Sequence, residues 1–307
     1  MPARGAGVAY VREEKRYITV KCNNDEYVLD RAAGMLCSWK KNGRETLQRP
    51  CDLLIWRAMT DNDRFIKEKW LNEYFDKTYF KRKEISTEYT KNGYKISVSG
   101  TIGADGRLPV YYTDVNYLFN QDGLNIKIHA KKNDSLKSIA HVATEENGED
   151  IHLKADINQT PRFAVRFPVK SEFNSIEYFG KGGGECYSDY CAYVRGGIWK
   201  SSPHEEYQPY IMPQECGNHI DVRWVDITNG ADTLSFIGKN RFEFSALPYT
   251  VEELDRAGHS FELCESDATE VIINYKNRGI GSNSCGPELS EKYCVTDKII
   301  DFEFVLN

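Results

Sequence analysis

Apolar and polar residues alternate in short runs along most of this chain, which is the period of a strand that buries one face. Runs at 16–22, 26–30 and 35–40 are separated by Asn23-Asn24-Asp25 and Arg31-Ala32-Ala33-Gly34, and they predict an opening meander of short strands. Alternation returns at 94–100, 110–119 and 124–130. The last two flank Asn120-Gln121-Asp122-Gly123, a turn signal that predicts a hairpin. Further strands are expected at 163–167, 220–227, 233–237, 242–247, 270–275 and 299–306, with a glycine-rich loop at 180–184. Two segments break the pattern. Trp70, Leu71, Tyr74 and Phe75 recur at helical spacing within 67–78, and 250–257 opens on Thr250 with Glu253 three residues on and Gly258 beyond. Each predicts a short helix.

Length and composition agree with this picture. A chain of 307 residues admits two domains or one large all-β domain. With 19 Tyr, 14 Phe, 5 Trp and only 4 Met, it favours pleated, half-buried surfaces over helical bundles. Strands never alternate with long helices, so a parallel (β/α)8 barrel is excluded and a many-stranded antiparallel sandwich is expected. Residues 1–14 read as a flexible leader without the apolar core of a signal peptide, and 15–307 as a single domain. The polar stretch 144–158 reads as an exposed loop.

Charge and sulfur narrow the setting. A formal charge of -6 without a basic stripe argues against nucleic acid, and no apolar run has the length of a membrane span. Nine cysteines in an odd, scattered set show no zinc spacing, and the six histidines stand apart from one another. Reduced thiols in a cytoplasmic protein are expected, and spacing nominates no metal site.

Chemistry is concentrated in a few segments. Arg57, Asp61, Asn62 and Asp63 form a polar cluster directly after the apolar run Leu53-Leu54-Ile55-Trp56. Such a cluster can hold a sugar hydroxyl, a cation or its own main chain. The glycines around Gly180 fail as a phosphate cradle, because no Lys-Ser or Lys-Thr follows them. His204 and His219, near Glu205, Glu206 and Glu215, are the local candidates for acid–base work and read as solvent-exposed.

Five segments, taken in order, resemble the C-terminal, small-chain region of bacterial β-galactosidases. Trp56-Arg57-Ala58-Met59-Thr60-Asp61-Asn62-Asp63 matches the pattern WRAxTDND. The run from Tyr178 to Tyr190 resembles YxGxGPxENYxDR, with Gly183, Cys186 and Tyr190 where that pattern has Pro, Asn and Arg. Pro209-Tyr210-Ile211-Met212-Pro213-Gln214-Glu215-Cys216-Gly217 is similar to PYxxPQENG, with Cys216 for Asn, and the run from Ser245 to Leu254 resembles SxxPYTxEEL. The last, from Gly279 to Pro287, resembles a loop of the form GxGGxxSWGP in which Cys285 replaces the Trp that walls the galactoside site in relatives.

The resemblance covers residues 16–307 and implies an all-β fold, a large antiparallel supersandwich similar to galactose mutarotases, with one or two short helices. It implies a part of a retaining glycoside hydrolase of family 2, as C-terminal domain or separate small subunit, that hydrolyses terminal β-D-galactosides. The partner would be a catalytic barrel carrying the two carboxylates, since no segment here resembles either catalytic box, and this chain alone would be inactive. Asn283, Ser284 and Cys285, with Arg57, Asp61 and Glu215, are the expected substrate-binding residues. Magnesium and sodium in relatives belong to other domains. The alternatives are a free-standing mutarotase-like epimerase and a carbohydrate-binding module.

Overall fold

The computed structural model describes residues 8–137, 139–144, 150–155 and 159–307. Nineteen strands run through these residues: β1 (Val8–Glu13), β2 (Tyr17–Cys22), β3 (Asp25–Asp30), β4 (Met35–Lys41), β5 (Arg44–Glu45), β6 (Asp52–Leu54), β7 (Tyr79–Thr90), β8 (Gly93–Gly103), β9 (Tyr111–Asn120), β10 (Gly123–Lys132), β11 (Ile139–Thr144), β12 (Asp150–Ala155), β13 (Arg162–Lys170), β14 (Ser175–Gly182), β15 (Arg195–Ser201), β16 (His219–Thr228), β17 (Thr233–Leu247), β18 (Ala268–Asn277) and β19 (Ile299–Leu306). Three short α-helices interrupt them: α1 (Arg64–Asn72), α2 (Pro203–Glu206) and α3 (Val251–Arg256).

Every pairing is antiparallel, as the alternating pattern requires. Strands β1–β5 make a five-stranded meander, β11 and β12 pair alone, and the rest form a twelve-stranded sheet in the order β15-β14-β16-β17-β19-β10-β9-β8-β7 with β6, β13 and β18 branching from it. The branch starts at β17. Its first half pairs with β19 through Phe236–Gly238 and its second half with β18 through Glu243–Leu247, so one 15-residue strand, already paired with β16, serves two further neighbours.

The core lies between the meander and the large sheet. Trp39 and Tyr27 point inward from the meander and are almost wholly buried. Trp39 meets Phe236 of β17 edge-on at 6.1 Å, and Tyr27 meets Phe119 of β9 at 5.5 Å. Burial of large aromatic rings between two faces at such offsets is the main cohesive term here.

Local chemistry explains the turns and caps. The β9–β10 hairpin closes as its turn residues foretell, with Asp122 donating its amide to Asn120 Oδ1 at 2.9 Å. Gly123 adopts φ +110°, and a Cβ there would stand 2.3 Å from the Leu306 carbonyl oxygen, so only glycine admits β19 alongside. Helix α3 opens on Thr250, whose Oγ accepts the Glu253 amide at 3.0 Å.

Four expectations change. Val8–Glu13, read as part of a flexible leader over 1–14, is a strand paired with β2; residues 1–7 lie outside the described residues. The stretch 144–158, read as a loop, contains β12 at Asp150–Ala155, while 145–149 and 156–158 lie outside the described residues. The glycine-rich loop begins later than expected, because Gly180 and Gly182 belong to β14, where a Cβ would collide with Val222 or with Tyr178 and Trp199. The runs at 233–237 and 242–247 are one strand, which the exposed residues Lys239, Asn240 and Arg241 had divided in the sequence.

Candidate functional site

The site forms where the sheet branch ends. Strands β6 and β18 both pair antiparallel with β13 and therefore run parallel to each other. The segments that leave their C-terminal ends, residues 55–63 and 278–290, emerge together at the start of β13. This topology brings the first and last of the five sequence segments side by side.

Beneath the emerging loop lies a buried ionic lattice. Arg57, with no exposed surface, donates from Nη2 to both oxygens of Asp63 at 2.8 and 3.0 Å, and Arg278 donates to Asp63 Oδ1 at 2.7 Å. Arg57 also donates to the carbonyls of Arg278 and Gly279, so its guanidinium grips the loop's own backbone. Burial alone would lower the Arg57 pKa, but the carboxylates of Asp63 and Glu215 outweigh it and hold the group charged. Glu215 pairs with buried Arg162 and accepts from Asn277 Nδ2 at 2.7 Å. Glu243 closes this layer, accepting the Asn277 amide at 3.2 Å and Asn218 Nδ2 at 3.1 Å. Desolvation pushes its carboxyl up to about 7 against the pull of those two hydrogen bonds.

Above the lattice, two side chains clamp the loop. Asp189 accepts the amides of Ile280 and Gly281 at 3.0 and 2.7 Å, one on each carboxylate oxygen. Gly279 permits that approach, since a Cβ there would lie 2.5 Å from Asp189 Oδ1. Asn62 donates to the Gly281 carbonyl at 2.8 Å and accepts the Ser284 amide at 3.0 Å. The loop is thus irregular in shape yet hydrogen-bonded at its base, with Ser282 and Cys285 exposed and Asn283 and Ser284 partly exposed between them.

The six expected site residues separate into two groups. Asn283, Ser284 and Cys285 sit on the loop, with Cys285 exposed, and Asp61 is exposed nearby with its amide donated to Gln214 Oε1 at 3.3 Å. Arg57 and Glu215, expected to bind substrate, are 0% and 4% exposed; both Nη atoms of Arg57 are spent on Asp63, Asn277 and the loop backbone, and Glu215 Oε1 on Arg162 and Asn277. They are supports under the loop. Asp63 also accepts from the Thr60 amide and hydroxyl, each at 3.1 Å, which is the self-capping use of that cluster.

His219 requires a further correction. It is buried, not solvent-exposed, and both ring nitrogens are engaged, one with Tyr178 at 3.0 Å and the other with Glu206 at 2.6 Å. A dyad whose two nitrogens and carboxylate are closed inside the fold has no free lone pair to offer a sugar. His204 is exposed as read, paired with Glu265.

Of Asp189, Asn62, Arg278 and Glu243, sequence reasoning had placed only Asn62, in the polar cluster after Trp56, and had expected none of them to bind substrate. The first three lie within or beside the five segments, and their signal was position in a motif. Glu243 had none, being one carboxylate in an alternating strand. Among the described residues, no cluster of three or more His, Cys, Asp and Glu is placed to hold a metal ion, and no helix is long and apolar enough to cross a membrane.

Fold and site together define a large antiparallel β protein that shapes and stiffens one exposed loop. Residues 21–306 match the family described as the β-galactosidase small chain, and the chain belongs to that family. It is 32% identical over 96% of its length to a β-galactosidase of Actinobacillus pleuropneumoniae and 27% identical over 96% to one of Staphylococcus xylosus. It covers only 27% and 28% of those relatives, so it spans about a quarter of their length. A galactose mutarotase-like protein of Clostridium acetobutylicum aligns over 97% of this chain and 98% of its own at 8% identity and a TM-score of 0.47, a level that carries no functional inference.

Proposed function

We propose that this chain is the non-catalytic portion of a β-galactosidase, as C-terminal domain or small subunit, and that its 279–290 loop completes a sugar pocket built mainly on a catalytic barrel. The clamped loop carries the proposal. An outward loop held by Asp189, Asn62 and Arg57 is preorganised for contact with something beyond the chain, and the family to which the chain belongs supplies the partner. Asn283, Ser284, Cys285 and Asp61 are the proposed contacts with the galactoside. Cys285 offers less apolar area than the aromatic wall of relatives, so selectivity for the aglycone should be weaker than theirs.

The reacting carboxylates of a retaining family 2 mechanism are assigned to the partner. In support, the acids at this site are already committed: Asp63 to two arginines, Glu215 to Arg162 and Asp189 to two amides. Magnesium and sodium are likewise assigned to the partner. A reducing cytoplasm suits nine cysteines that are all free.

The docking face proposed for the barrel borders the loop. Ile211 is 95% exposed and Phe261 84%, with Met212 adjacent, and Ser260 Oγ donating to the Tyr210 carbonyl at 3.2 Å draws the two segments together. Exposed apolar side chains of this size gathered at one place mark an interaction surface.

The test is complementation. The chain is mixed with the catalytic part of a β-galactosidase lacking this region, and hydrolysis of nitrophenyl β-galactoside is followed. Activity is expected only in the mixture; turnover by the chain alone, or no gain on mixing, overturns the reading.

A further inference from the structure

Beside the clamped loop, on the side of Asp189 and Tyr190, lies an open cleft of about 380 Å³ in which Cys285 takes no part. We propose that this cleft is a second saccharide subsite, taking a neutral hexopyranose unit. The inference deepens the proposed function and rests on it for the choice of sugar.

The volume falls at the low end of the roughly 300–1,000 Å³ usual for small-ligand sites, enough for one ring and its hydroxyls. Its walls carry two tyrosines, Tyr190 and Tyr293, and its floor is Ile280, Gly281 and Leu289. Tyr190 is 46% exposed, a large fraction for an aromatic side chain held so firmly. Its backbone exchanges hydrogen bonds with Tyr187 at 2.9 and 3.1 Å, and its ring packs against Tyr193 at 5.0 Å. A fixed ring with a free surface suits the CH-rich face of a pyranose, because little side-chain freedom is lost when the sugar arrives.

The polar groups suit hydroxyls and disfavour anions. Ser282, Ser290 and Glu288 line the rim with Asp189 behind them, and no Lys or Arg lines the cleft. Glu288 on the rim would repel a uronate or a sugar phosphate, since the nearby Lys292 ammonium is held over the Tyr293 ring outside the lining, whereas sugar hydroxyls can donate to that carboxylate. The floor is already rigid. Asp189 holds Ile280 and Gly281 by their amides, and Gly281 at φ +68° brings its Cα within reach of Leu289 and Asn62, where a Cβ would touch both at 3.6 and 3.9 Å.

Saturation-transfer NMR on the full chain tests the inference, with methyl β-D-galactopyranoside and lactose as probes and glucuronic acid as the charged comparison. Transfer to the neutral sugars is expected in the wild type, and less to glucuronate. Tyr190→Ala should weaken binding by about 3- to 10-fold, while Tyr190→Phe, which keeps the ring, should retain it. Ile198→Ala, an exposed side chain outside the cleft, should leave it unchanged. Absence of transfer, equal binding by Tyr190→Ala and wild type, or preference for glucuronate overturns the subsite. The two proposals fail separately: complementation without sugar binding sinks the subsite alone, and sugar binding without complementation sinks the β-galactosidase role and leaves the subsite standing.

Discussion

Single residues at this site are chosen for what they hold in place. Arg57 reads in the sequence as a cation in a polar loop, available for a ligand; in the fold it is fully enclosed and both its Nη groups are engaged by Asp63, Asn277 and the loop backbone. Losing one partner of such a buried pair strands a charge and costs about 3–5 kcal/mol. Glu243 shows the opposite economy, a buried carboxyl whose hydrogen bonds do not offset its desolvation. Its folded pKa of about 7 lies above the ordinary 4.5, so the folded state binds its proton more tightly than the unfolded chain does. That contribution is fully present below pH 4.5 and is lost as pH rises through about 7, on the order of 3 kcal/mol in all. Glu243→Gln keeps the size and the accepting oxygen without the charge. Urea unfolding at pH 5 and pH 8 should show the wild type losing stability between them and the variant losing markedly less; parallel pH dependence would disprove the assignment. Asp189→Asn tests the loop clamp in the same spirit. An amide can accept from only one of the two backbone donors and turns an NH2 toward the other, so exchange at Ile280 and Gly281 should accelerate by about 10-fold or more, read by hydrogen-exchange mass spectrometry.

At the scale of elements, legibility followed from how local the cause was. The β9–β10 hairpin and strand β19 lie almost where alternation put them, because each is bounded by its own turn residues or by the chain's last apolar run. Helix α3 was legible from its cap, and Thr250→Ala should cost roughly 0.5–2 kcal/mol, seen as a lower urea midpoint at unchanged slope. Helix α1 begins and ends earlier than its periodicity suggested, at Arg64–Asn72, since Tyr74 takes a left-handed conformation that breaks the helix before Phe75. Strand β7 escaped notice. It is twelve residues long, but at the sheet edge most of its residues are wholly or partly exposed, and its charged sequence follows no period. Strand β15 was missed for the same reason, with no fully buried residue on it.

For the whole molecule, the decisive fact is that the loop and the exposed apolar face lie on neighbouring segments. Gln214, just beyond Ile211 and Met212, accepts the Asp61 amide, so the proposed docking face and the rim of the proposed pocket share a hydrogen bond. Ile211→Asp or Phe261→Asp should leave the fold intact, both side chains being 84% exposed or more. Either should weaken assembly with a catalytic partner by at least about tenfold, measured by the partner concentration that half-restores hydrolysis. Unchanged complementation by both variants would move the docking face elsewhere.

The amino-acid sequence on its own determined the strand-rich architecture, the principal hairpin, the positions of two helices and the family, because each depends on period, turn chemistry or ordered motifs over short stretches. Only the tertiary structure decided which polar residues reach solvent. Arg57, Glu215 and His219 look like candidate ligands in one dimension and prove to be buried supports in three, whereas Asp189 and Asn62 emerge as the clamps. The reason is the sheet branch. Burial and partnership at this site depend on β6 and β18 running parallel on either side of β13, and that arrangement brings together residues more than two hundred positions apart.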